Sequence, residues 1–158
     1  MTGRARLLAV AGRLGLGLGL LVCVSCGPKP RALYPVQGKI LFEGKPADGA
    51  VVVLHPVDDP SPQAVRPAGH VGADGSFTLN SYLPSTQATG PGAPAGEYAV
   101  TVTWPPPDVK NYLIKHHTSD LPDKLQGRFA NAASSPLPRA KVPEGPTELP
   151  LYELKRGG

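Results

Sequence analysis

Proline decides what this chain can build. All 20 prolines of the 158-residue sequence fall after Gly27, spread from Pro28 to Pro150. A proline inside a helix removes a backbone hydrogen bond and clashes with the preceding turn, at about 3 kcal/mol each. Long helices are thereby excluded, and short strands joined by Pro- and Gly-rich turns are the natural alternative. The apolar pattern agrees. Val36, Ile40 and Phe42 share one face of an extended segment, with Gln37, Lys39 and Glu43 on the other. Ala50 to His55 is a continuous apolar run, which predicts a strand covered on both faces. Asp74-Gly75 predicts a hairpin turn ahead of Phe77 and Leu79, because both turn residues tolerate positive φ. Tyr98, Val100, Val102 and Trp104 alternate with Thr101 and Thr103 until Pro105, Pro106 and Pro107 end the strand. Residues 56–68 and 81–95 read as loops, and Asp120 as the N-cap of a single helical turn through Pro122. Thr147 to Leu154 reads as a last strand that Pro150 confines to an edge. Roughly five to seven short antiparallel strands of this kind predict a small all-β sandwich. Its expected core is Val36, Ile40, Phe42, Val51, Val53, Phe77, Leu79, Tyr98, Val100 and Val102.

The N-terminal segment obeys a different logic. Arg4, Arg6 and Arg13 form a basic flank, and Leu14 to Val24 is apolar or glycine throughout. A run of about eleven residues suits the apolar region of a secretory signal and falls short of the roughly 20 that a spanning helix needs. The run ends in Cys23-Val24-Ser25-Cys26-Gly27, which resembles the lipobox of bacterial lipoproteins: a small residue, Ser25, immediately before the cysteine, with Cys23 where leucine is usual. The resemblance implies cleavage before Cys26, lipid on its thiol, and attachment to a membrane of the cell envelope. Gly27 in place of aspartate implies onward sorting to the outer membrane where one exists. A plain secretory signal is the alternative. Residues 1–25 are thus read as signal peptide, 26–33 as a tether and 34–155 as the domain.

Processing would change the chemistry on offer. The Cys23–Cys26 spacing suggests a redox or zinc pair, but Cys23 leaves with the signal and Cys26 is the only other cysteine. No disulfide then staples the domain, so a packed core must hold it. Of 16 basic and 12 acidic side chains, three arginines belong to the signal, leaving 13 against 12. With no run of basic residues interleaved with aromatics, a nucleic-acid partner is not expected.

The order of motifs in the domain resembles a known group. Val36-Gln-Gly38-Lys-Ile40 is followed by Gly44-Lys-Pro46-Ala-Asp-Gly49-Ala-Val-Val-Val-Leu54, by Ala73-Asp-Gly-Ser-Phe77 and by Pro94-Ala-Gly-Glu-Tyr-Ala-Val-Thr-Val102. Together with Leu125-Gln-Gly-Arg-Phe129 and Glu144-Gly145, these look like carboxypeptidase regulatory-like, or transthyretin-like, domains of small bacterial lipoproteins. The resemblance implies a prealbumin- or immunoglobulin-like β-sandwich with no catalytic role of its own, and the residues themselves lead to no expected cofactor or metal.

Several side chains are of types that form sites. His55 and His70, on neighbouring strands, suggest a metal pair without further ligands. His116 and His117 would point to opposite sides of a strand. Asp58-Asp59 offers oxygen ligands without a calcium-loop spacing, and Ser134-Ser135 lacks a nucleophile elbow. Trp104 and Tyr98 are expected in the core, while Tyr82 and Tyr112 are loop aromatics suited to sugar stacking. The expected function is that of a noncatalytic envelope lipoprotein, a binding or structural module with an envelope protein or polysaccharide as partner. The alternatives are a carbohydrate-binding module, or a small metal-binding protein or enzyme.

Overall fold

The computed structural model describes residues 31–116 and 120–156, so the expected signal peptide (residues 1–25), Cys26 and His117 lie outside it. The described chain is an all-β sandwich of two sheets. In the smaller sheet β1 (Val36–Phe42) is central. On one side it pairs antiparallel with β2 (Lys45–Pro46) and β5 (Ser76–Thr78). On the other it pairs with β10 (Thr147–Glu148) and β11 (Tyr152–Leu154). The larger sheet runs β7 (Ala88–Pro91), β6 (Asn80–Leu83), β4 (Ala68–His70), β3 (Val51–Pro56), β8 (Gly96–Thr103), β9 (Ala140–Val142), all antiparallel.

One departure from an all-antiparallel layout is that β1 runs parallel to β10 and β11, in registers Val36↔Thr147 and Ile40↔Tyr152. The final strand is therefore an edge strand, and it is interrupted at Pro150, which has no amide hydrogen to give the ladder. The turn at Asp74-Gly75 forms as expected: Gly72 N donates to Ser76 O (2.8 Å), and Asp74 Oδ1 accepts from Ser76 N (3.0 Å). It does not join two strands of one sheet, however. It carries the chain from β4 in the larger sheet to β5 in the smaller one. Leu79 then makes the return corner. Its N donates to Val36 O in the smaller sheet, and its carbonyl accepts from Gly92 N beside the larger one. At the neighbouring position Gly69, an added Cβ would sit 2.1 Å from the Thr78 carbonyl oxygen, so only glycine fits where the two sheets meet.

Most of the expected core is buried, including Val36, Ile40, Phe77, Leu79, Tyr98, Val100 and Val102. Two residues need correcting. Val51 and Val53 are half-buried on the outer face, and Val52 and Leu54 face the core instead. The sequence Val-Val-Val-Leu has no alternation, so pairing with β8 sets the register, with Val52 opposite Val102 and Leu54 opposite Val100. Phe42 and Trp104 are partly buried at the margin of the core.

The segment after Pro107 forms α1 (Val109–His116), which the sequence reading left out. Asp108 caps it: its carboxylate accepts from Asn111 N (3.1 Å) and its carbonyl from Tyr112 N (2.9 Å). The helical turn expected at Asp120 is replaced by tight turns over residues 124–130. Asp123, not Asp120, gathers their amides. No helix among the described residues is long and apolar enough to cross a membrane.

Candidate functional site

The two ends of the sandwich differ in chemistry. At one end the chain enters, with Tyr34 and Ala93 exchanging backbone hydrogen bonds of 2.8 and 2.9 Å just before β1. β1 then runs six residue steps to Phe42, about 20 Å at the usual rise of a strand. At that far end, the ends of β1, β8 and β11 and the turns after Asp123 enclose a cleft of about 610 Å³.

Its walls are aromatic. Phe42 meets Trp104 edge-on, with ring centroids 5.7 Å apart at 78°, and Trp104 Nε1 donates to Asp48 O (2.9 Å), which fixes the indole. Phe129 and Leu125 are buried at its base. The remaining lining is Gln126 and four cations, Lys124, Arg128, Lys155 and Arg156, with no carboxylate among the lining residues. Three of these cations lie against the aromatic rings. Lys124 Nζ is 4.5 Å from the Trp104 centroid, the Arg128 guanidinium 5.6 Å from Phe129, and the Arg156 guanidinium 5.9 Å from Phe42. Such contacts hold a charge at an apolar surface without neutralising it. Glu43 approaches from outside, 3.7 Å from Arg156, but both side chains are largely exposed and the pair is weak.

The backbone around the cleft is already satisfied. Val102 N donates to Phe129 O, Lys124 N to Trp104 O, and Glu43 N to Leu154 O. Asp123 joins the pieces. Its Oδ1 accepts from Trp104 N (2.7 Å) and Leu125 N (2.9 Å), and its Oδ2 from Gly127 N (3.0 Å). One carboxylate therefore ties the end of β8 to the turns that floor the cleft. Gln126 and Gly127 both take positive φ there (56° and 73°), which folds the turn tightly enough to bring Lys124 and Arg128 to one rim.

The side chains singled out from sequence do not converge. His70 lies opposite Val51, four residues along β3 from His55, so about 13 Å of strand separates the two histidines. His55 Nε2 instead meets Thr101 Oγ1 at 2.9 Å, and burial, aided by the nearby Arg66 charge, lowers its pKa. His116 ends α1 and stacks on Tyr112 with centroids 4.3 Å apart. Asp59 accepts from Ser61 N (3.2 Å) and lies 3.9 Å from Arg31, and its pKa is lowered chiefly by the Ser61 hydroxyl. Ser135 Oγ donates to Val100 O (2.7 Å) and Tyr98 Oη to Pro94 O (2.7 Å). Tyr82 is exposed on β6, in the hairpin with β7. Among the described residues no three His, Cys, Asp or Glu side chains cluster as a metal site. From the sequence, Phe42 and Trp104 are expected in the core, and no run of basic residues interleaved with aromatics marks the cations. The cations and rings come together only in the fold. In comparison with known proteins, no family model matches this chain, and no curated protein or solved structure matches it significantly.

Proposed function

We propose that this chain is a noncatalytic lipoprotein of the cell envelope, held to a membrane by lipid on Cys26. Its β-sandwich acts as a carboxypeptidase regulatory-like binding module, and its working surface is the cleft of Phe42, Trp104 and the surrounding cations. The observation that carries this reading is the polarity of the fold. The chain enters at Tyr34, and the cleft lies at the other end of β1, so a tether through residues 26–33 leaves the cleft facing away from the anchored surface. Stable attachment by lipid requires more than one acyl chain, which a multiply acylated cysteine supplies. A binding role rather than a catalytic one is supported by how the reactive groups are used: Ser135, Tyr98 and His55 are each engaged by neighbouring strand or loop atoms. The test is fractionation of cells expressing the intact chain and its Cys26→Ala variant. The intact chain should sediment with envelope membranes and the variant should be released. A variant that remains on the membrane would remove the lipid anchor from the account.

A further inference from the structure

We infer that the cleft between Phe42 and Trp104 binds an acidic saccharide, a sugar chain whose rings lie against the aromatic walls while its carboxylates meet Lys124, Arg128 and Arg156. The ligand class rests on the reading above only in where such a chain would be met, outside the cell membrane. The chemistry itself rests on the cleft.

Each part of the lining narrows the choice. A cleft of about 610 Å³ is in the range that holds a ligand of several rings. A simple inorganic anion would be served by cations alone and would have no use for half-exposed Phe42 and Trp104. A neutral sugar would use the aromatic walls but would leave Lys124, Arg128 and Lys155, which form no ion pair among the described residues, unused. An acidic peptide is recognised most effectively by adding a strand to a free sheet edge. Here Val102 N and Trp104 N donate to Phe129 O and Asp123 Oδ1, so β8 offers the cleft no free ladder, and a peptide added instead to the outer edge of β11 would be reported by the oligoglutamate arm of the test. Nucleic acid calls for a basic stripe that tracks many phosphates, whereas these charges converge on one enclosed space. Within the cleft, recognition falls to side chains, through flat apolar surfaces and positive charge that Glu43 offsets only weakly at Arg156. A carboxylated sugar offers both, in its C–H ring faces and its anionic groups. The cations also rest on the rings at 4.5 to 5.9 Å, so a bound carboxylate would meet a charge already positioned beside the surface on which the sugar ring packs.

The experiment uses the purified full chain in detergent micelles, with Trp104 as the only tryptophan and hence the fluorescence reporter. It is titrated with an oligogalacturonate of fixed length, its fully methyl-esterified counterpart, an oligoglutamate and an oligophosphate of matched charge. Saturable quenching or enhancement is expected with the oligogalacturonate, at least tenfold weaker with the ester, the oligoglutamate and the oligophosphate, and weakened by added salt. Arg128 and Arg156 are exposed at the rim, so Arg128→Gln and Arg156→Gln should leave the fold intact by circular dichroism, and each should weaken the acidic saccharide threefold to tenfold. Lys124→Gln should do the same and also shift the Trp104 emission of the unliganded protein. Equal affinity for acid and ester, equal or tighter binding of oligoglutamate or oligophosphate, or unchanged affinity in all three variants would each overturn the inference. Cys26→Ala separates this from the anchor. It should lose membrane attachment yet bind the saccharide with the same affinity, so either reading can fail alone.

Discussion

Asp123 offers a graded perturbation whose size follows from its geometry. Its carboxylate accepts three backbone amides, two at Oδ1 and one at Oδ2, and one of the donors, Trp104, is distant in sequence. Hydrogen bonds to a charged acceptor contribute about 1.5–3 kcal/mol each when partners are desolvated, and less at a half-exposed position such as this one. Two of the three bonds are local and water can replace them, so Asp123→Ala should cost about 2–4 kcal/mol. Asp123→Asn keeps one oxygen in place for Trp104 N and Leu125 N and loses the Gly127 bond and the charge, at about 1 kcal/mol. For a domain of this size each kcal/mol moves the melting temperature by about 3–5 °C. The alanine variant should therefore melt about 6–20 °C lower and the asparagine variant only a few degrees lower. Urea denaturation followed by Trp104 fluorescence reports both the global transition and the local environment. The reasoning fails if both variants lie within about 0.5 kcal/mol of the parent, or if asparagine costs as much as alanine.

Other expectations follow from single contacts. Gly69→Ala drives a methyl group against the Thr78 carbonyl and should destabilise by about 1–3 kcal/mol in urea denaturation. The Tyr152 hydroxyl is buried without a hydrogen-bond partner, so Tyr152→Phe should leave stability unchanged or raise it by up to about 1 kcal/mol. Burial also pushes the Tyr152 hydroxyl up to about 12. The folded state then favours the protonated phenol, and the stability this confers, complete below pH 10, is lost as pH rises towards 12; Tyr152→Phe should flatten that alkaline limb. His55 behaves in the opposite sense. Its lowered pKa means the unfolded chain takes up a proton first, so stability present above about pH 6.5 falls on acidification, and His55→Gln should lessen that loss in pH-dependent melts.

How much of this the sequence disclosed depends on the element. β8 was readable because Tyr98, Val100 and Val102 alternate with smaller or polar residues, and the strand ends at three prolines. β3 was readable as a strand but not in register, since Val51-Val-Val-Leu54 gives either face an equal claim until β8 pairs with it. The Asp74-Gly75 turn could be foreseen, but not that it crosses between sheets, because a turn records local φ and ψ and not the partners of the strands it joins. The parallel pairing of the first and last strands is likewise a property of the whole chain path. α1 has a local signal in the sequence: Asp108 follows three prolines as an N-cap, with Tyr112 and His116 spaced to stack on one face. The cleft was the least readable feature. Its walls come from residues as far apart as Phe42 and Arg156, and of the four cations only Lys155 and Arg156 are adjacent, a pair too short to mark the cleft. Phe42 and Trp104, both expected in the core, pack at its margin and also form the walls.

The claim on which the functional reading depends is covalent and can be read directly. Intact-mass and peptide mass spectrometry of the protein extracted from envelope membranes gives the identity and modification of its first residue. A chain that begins at Cys26, carries acyl groups on that cysteine and lacks residues 1–25 is the expected result. A mature chain with an unmodified Cys26, or one that retains the Arg4–Val24 segment, would contradict it.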